Sequence, residues 1–164
     1  MLPQRKPTRL ANYDYRQNGY YFVTICTHNR KNVLSRIVGQ GLAPAENELL
    51  PYGKIVEKEL LAIEKRYAGV RMDKYVIMPN HIHAILVIDT YAAGASPCPT
   101  LSQVVGTVKS IATRKCKKVY PMDKIFQTSF HDHIIRNKHD YQEIWKYIDH
   151  NPAKWTEDRF YSNE

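Results

Sequence analysis

The chain is expected to form one α+β domain, a ferredoxin-like, RRM-like antiparallel sheet with helices on one face. Three observations predict it. Segments with a strand period alternate with segments of helical period. Their order is strand, helix, two strands, helix, strand, helix. No internal repeat or linker divides the 164 residues, a length that supports one ordinary core. Residues 1–164 are therefore read as a single domain, with its core over about 19–155 and a basic, irregular segment over 1–18.

GYYFVTICTHN (19–29) is rich in β-branched and aromatic residues and alternates, so it reads as a strand. NVLSRIVGQGLAPAENELL (32–50) reads as a short hairpin or an ordered loop, with Gly39 and Gly41 at the turn. A helix is expected over about 53–67, where Val56, Leu60, Ile63 and Tyr67 recur along one stripe. Two strands follow, about 70–77 and 82–89, joined at Pro79-Asn80, and then a loop over 90–100 marked by Gly, Pro and small residues. A second helix spans about 102–119, with Leu101, Val104, Val105, Val108 and Ala112 on one face and a basic end, RKCKK.

A strand near 127–135 precedes the last helix, 138–150. Asn137 can cap that helix with Asp140 at its third position, and Pro152 stops it. Tyr141, Ile144, Trp145 and Ile148 form its expected buried stripe. Tyr147 and Asn151, four apart, lie one above the other at the border of that stripe, where a side chain lines a cleft between helix and sheet.

A net charge of +8 favours a polyanionic partner, nucleic acid before a membrane surface. Twelve tyrosines add ring faces on which unpaired bases stack. No apolar run is long enough to span a membrane. The start, MLPQRKPTRL, is basic without an apolar segment, so no secretory signal is read there and the cytoplasm is the expected compartment. Cys26, Cys98 and Cys116 are far apart and form no CxxC pair, which argues against a zinc ribbon or a disulfide framework.

YVIMPNHIHAILVI (75–88) places His81 and His83 inside an apolar strand. Residues two apart project from the same sheet face, so both rings point together, about 6–7 Å apart at the backbone, while Ile82 faces the helix-covered core. The pair can converge on one cation, or it can be two hydrogen-bonded histidines on an exposed face. No HxHxD continuation follows, so a metal site needs a further ligand from elsewhere. Asn151 can offer an amide oxygen, with the Tyr147 hydroxyl beside it; Asn151 also reads as a simple helix cap. HDH (131–133) is a competing pair by the same spacing.

MPNHIH (78–83) resembles the HUH motif of the single-tyrosine HUH transposases. YFVTICTHNR (21–30), LSQVVGTVKS (101–110), FHDHIIRN (130–137) and YIDHNP (147–152) resemble the other blocks of that family in the same order, closest to its REP-associated tyrosine transposases. The resemblance implies an HUH endonuclease fold. It implies His81 and His83 as metal ligands, Tyr147 as the catalytic tyrosine and Asn151 as the third ligand of Mg2+ or Mn2+. His133 and Arg136 would orient the last helix or contact phosphate. The implied activity is cleavage and rejoining of single-stranded DNA beside a hairpin through a 5′-phosphotyrosine. A homodimer is possible within the family. Lys109, Arg114, Lys117 and Lys118 would hold the DNA backbone, although each also reads as a solvated surface residue. The rivals are a non-catalytic nucleic-acid-binding module on the same fold and a metal hydrolase that uses water.

Overall fold

The computed structural model describes residues 9–39, 44–94 and 97–163. Its elements are β1 (Gly19–Cys26), β2 (Ser35–Val38), β3 (Glu46–Leu49), α1 (Pro51–Leu61), α2 (Ile63–Arg66), β4 (Val70–Ile77), β5 (His81–Ile88), α3 (Thr90–Ala93), α4 (Leu101–Val119), β6 (His131–Ile135) and α5 (Lys138–His150). Short 3-10 turns cover His28–Arg30 and Pro152–Glu157. The main sheet has the order β4-β5-β1-β6, antiparallel throughout. That order, with α1 between β1 and β4 and α4 between β5 and β6, is the ferredoxin-like arrangement.

The alternation of β1 and β5 divides the sheet into two unlike faces. Tyr21, Val23 and Ile25 of β1 face the same side as Ile82, Ala84, Leu86 and Ile88 of β5, and pack with Val56 and Leu60 of α1 and Val104, Val105, Val108 and Ala112 of α4. Thr24 and Cys26 pair with His83 and His81, on the opposite side. All eight residues of β5 are buried, so the strand is covered on both faces.

Several signals act as the sequence suggests. Thr100 caps α4 in a reciprocal capping box, its hydroxyl accepting from Gln103 N at 3.2 Å while Gln103 Oε1 accepts from Thr100 N at 2.8 Å. Helix α1 begins two residues before the expected start, with Pro51 in its first turn. A Cβ on Gly53 would stand 2.0 Å from Leu34 O, so only glycine lets α1 approach the segment leading into β2 so closely. Residues 35–38 and 46–49 form the expected hairpin as a separate two-stranded sheet; Gly39 has φ 73, and Gly41 lies outside the described residues.

Two expectations change. Residues 127–130 do not extend β6; Gln127 N instead donates to Cys26 O at 2.9 Å, and Phe126 bridges Thr27 across the end of β1. The helices do not all share one face: α1 and α4 do, but α5 lies on the other, against β4 and β5. Helix α5 is held there by polar ties. Tyr141 OH donates to Asp73 at a bulge of β4 at 2.7 Å, Lys74 Nζ donates to Asp149 at 2.7 Å, and His133 and Asp140 meet at 2.8 Å. Of its expected apolar stripe only Ile148 is fully buried. Trp145 is 38% exposed beside the outer strand β4, with the Lys74 ammonium over its ring, 3.8 Å from the centroid.

Candidate active site

The two histidines of β5 point from the sheet face that α5 covers, with ring centroids 4.5 Å apart. His81 is 0% exposed and His83 1% exposed. Each ring is fixed through its Nδ1. His81 Nδ1 meets Asn80 Oδ1 at 2.9 Å, and His83 Nδ1 meets Thr24 Oγ1 at 2.8 Å. The Asn80 amide nitrogen donates to the carbonyls of Phe160, at 2.7 Å, and Arg30, at 3.2 Å. Its oxygen is thereby left to accept from His81 Nδ1–H, which puts the lone pair of His81 on Nε2. That Nε2 has no hydrogen-bond partner among the described residues.

Helix α5 brings the other groups. Its terminal turn places Tyr147 and Asn151 on one line, and the chain then folds back through Pro152–Glu157 so that Trp155 and Phe160 pack over the imidazoles. Tyr147 is 43% exposed, and its hydroxyl lies 3.3 Å from His83 Nε2. Phe22 braces both rings, edge-on to Tyr147 and 5.2 Å from His83 between centroids. Asn151 is 3% exposed, and its buried Oδ1 has no hydrogen-bond partner among the described residues, while its Nδ2 donates to Asp158 Oδ2 at 3.1 Å. Asp158 Oδ2 lies 3.7 Å from His81 Nε2, and ligand atoms of His81, His83 and Asp158 fall within 4.8 Å of one another.

This donor set fits a divalent cation. An orphaned imidazole nitrogen and an orphaned amide oxygen, both buried, are costly unless something binds them. His81 is pushed down to about 4 by burial, against the opposing pull of Asp158. Burial, then the neighbouring His81, pushes His83 well below the ordinary histidine value. Both rings are therefore neutral at neutral pH, the form in which imidazole ligates. Two imidazoles, an amide and a carboxylate make a mixed nitrogen and oxygen set. Burial raises the Tyr147 phenol and Asp158 raises it further, while Asn151 and Arg159 oppose them.

A Haemophilus influenzae protein described as uncharacterized is 30% identical to this chain over 175 aligned positions, covering 98% of this chain and 94% of its own length. The chain belongs to that protein's family. No family model matches it. Its fold is that of a REP-associated tyrosine transposase solved bound to a REP hairpin, at 22% identity and a TM-score of 0.62 over 89% of this chain and 73% of that one. A Deinococcus radiodurans structure provisionally assigned as a transposase aligns at 18% identity with a TM-score of 0.51, covering 86% of this chain and 95% of its own.

The other residues singled out from the sequence do not join the histidines. His133 is exposed and pairs with Asp140 in the first turn of α5, and His131 is exposed; among the described residues the histidine and acidic groups that gather are His81, His83 and Asp158. The Lys109 ammonium donates to the carbonyls of Gln127 and Thr128, the latter at 2.9 Å, and so ties α4 to the chain crossing the end of β1. Arg114, Lys117 and Lys118 are exposed on α4, which packs on the sheet face opposite the histidines. Arg136 is exposed beside the cap of α5. Sequence reading passed over Asp158, Thr24 and Asn80. Thr24 and Asn80 sit within the quoted blocks YFVTICTHNR and MPNHIH, whereas Asp158 lies beyond the last block.

Proposed function

We propose that the chain is a metal-dependent single-stranded DNA nicking and joining enzyme, a transposase of the REP-associated tyrosine type. The observation that carries this reading is the Tyr147 hydroxyl, 3.3 Å from His83 Nε2 and beside a buried nest of unsatisfied donor atoms from His81 and Asn151. His81, His83 and Asn151 would hold Mg2+ or Mn2+, with Asp158 as a fourth donor. The ion, when bound, supplies positive charge to the scissile phosphate.

The chain's own groups supply the rest. Tyr147 attacks phosphorus in line, the bond to the 3′-oxygen breaks, and the phenolic proton ends on the leaving 3′-hydroxyl. The product is a 5′-phosphotyrosine, which keeps the phosphodiester energy, so a later 3′-hydroxyl can displace the tyrosine and rejoin a strand without ATP. His83 is a weak base, because burial disfavours its charged form. With its Nδ1 held by Thr24 and its Nε2 on the ion, it would not take the phenolic proton. Thr24 and Asn80 keep the two imidazoles aimed while this happens. The partner follows from the chemistry and the charge of +8: single-stranded DNA presented beside a hairpin.

The test is covalent trapping. Labelled hairpin DNA with a single-stranded flank is incubated with Mn2+ and resolved on a denaturing gel. An adduct is expected with the native chain and none with Tyr147→Phe, whereas Mn2+ raises the melting temperature of both by about 5–10 °C at saturating ion. His81→Ala loses both the adduct and the Mn2+ shift. Cleavage that survives Tyr147→Phe would show a hydrolase using water. Binding without an adduct on any hairpin would show a non-catalytic module.

A further inference from the structure

Asn29 and Arg30 both hold left-handed backbone, each with φ 54, at the turn after β1. Two successive side-chain-bearing residues in that region are costly and persist only where the surroundings enforce them. Here Arg30 N donates to Thr27 O at 3.2 Å, and Arg30 O accepts from the same Asn80 amide that orients His81. The backbone of Arg30 is thus fixed relative to the histidine pair. Its guanidinium lies over the Phe160 ring, 5.6 Å from the centroid, and the guanidinium of Arg159 lies over the same ring at 4.6 Å. That ring is 4.6 Å from the His81 ring.

Neither guanidinium makes an ion pair among the described residues, and both residues are exposed. Two like charges gathered on one ring at the mouth of a cation site repel each other unless an anion joins them. The neighbouring cleft, with a cavity volume of about 500 Å3, is lined by Tyr147, Asn151, Asp158 and Arg159, with Lys146 and Lys154 facing Glu143 and Glu157 among its walls. A phosphate delivered to Tyr147 therefore arrives beside Arg159. The fields of Arg159 and Arg30 both reach His81, and that of Arg159 reaches Tyr147.

We propose that Arg30 and Arg159 form a phosphate clamp at the mouth of the site, gripping the backbone of single-stranded DNA next to the scissile phosphate. The placement of the scissile phosphate rests on the function proposed above; the clamp itself does not need the chemistry. Guanidinium groups suit it because their forked donors meet a phosphate in two bonds. Phe160, which meets both guanidinium groups and the His81 ring, ties the clamp to the site.

The clamp is tested in Tyr147→Phe protein with EDTA present, so that neither the nucleophile nor the ion contributes. Binding of a fluorescent single-stranded oligonucleotide is followed by anisotropy across a range of salt. Arg30→Gln and Arg159→Gln should each weaken binding about five- to tenfold and flatten the salt dependence of log K by about 0.7. Arg30→Lys should restore the slope, and Lys65→Gln, an exposed cation of α2, should leave it unchanged. Arginine variants no weaker than Lys65→Gln overturn the clamp. Weaker binding with an unchanged slope also overturns it, because the loss would then be one of shape. Trapping that succeeds while the clamp fails removes only this inference; trapping that fails while the clamp holds removes only the chemistry.

Discussion

His81 contributes to the pH dependence of stability as well as to the site. Its folded value, about 4, is below the ordinary 6.5, and His83 is shifted the same way. Above pH 6.5 both are neutral whether folded or not, so nothing is lost there. Between 6.5 and 4 the unfolded chain takes up protons that the folded chain refuses, and stability falls as pH falls. For His81 alone the loss is about 3 kcal/mol by pH 4. Thermal denaturation of the metal-free protein should show it, and His81→Leu should flatten the acid limb; an unchanged profile in that variant would mean that the ring is not buried neutral. The histidines, Tyr147 and Asn151 were legible in the sequence because strand and helix periods fix which side chains share a face. Asp158 was not, since it reaches the site by a reversal of the chain after Pro152 that no period encodes.

Elements differ in how they are held. Glu59 of α1 is 2% exposed and bridges Arg66 of α2, at 2.9 Å, and Lys115 of α4. Burial raises this carboxyl, but the two cations outweigh it and the net shift is down. Glu59→Leu removes a buried carboxylate whose two cationic partners reach solvent, and should cost about 1–2 kcal/mol by urea denaturation. Less than 1 kcal/mol would mean that the bridge is solvated. Helix α5 is different: Ile148 is its one buried residue, and the remaining ties are polar and partly exposed. Such pairs contribute little each, so α5 amides should exchange with deuterium faster than those of β5, at a free energy below that of global unfolding. Equal protection would refute this. The bounds of α5 match the expectation from capping signals, whereas the exposure of Trp145 was hidden, because a helical stripe does not say whether it meets the middle of a sheet or its edge.

At the scale of the molecule, the topology followed from element order alone, since βαββαβ with antiparallel neighbours leaves few arrangements. The distribution of charge did not follow. Arg114, Lys117 and Lys118 sit behind the sheet, while Lys146, Lys154 and Arg159 line the cleft beside Tyr147 and Arg30 lies over Phe160. A count of basic residues carries no direction until the sheet gives it two sides. No helix among the described residues is long and apolar enough to cross a membrane.

The alternation of β5 has one more effect. Ile82 is spelled between the imidazoles and Ala84 after them, so the candidate site and the hydrophobic core occupy odd and even letters of the same word. Slipping this strand by a single position would bury the rings among α1 and α4 and turn aliphatic carbons toward Tyr147. An insertion or deletion here therefore disturbs the candidate site and the core together, whereas a substitution at one letter can alter either alone.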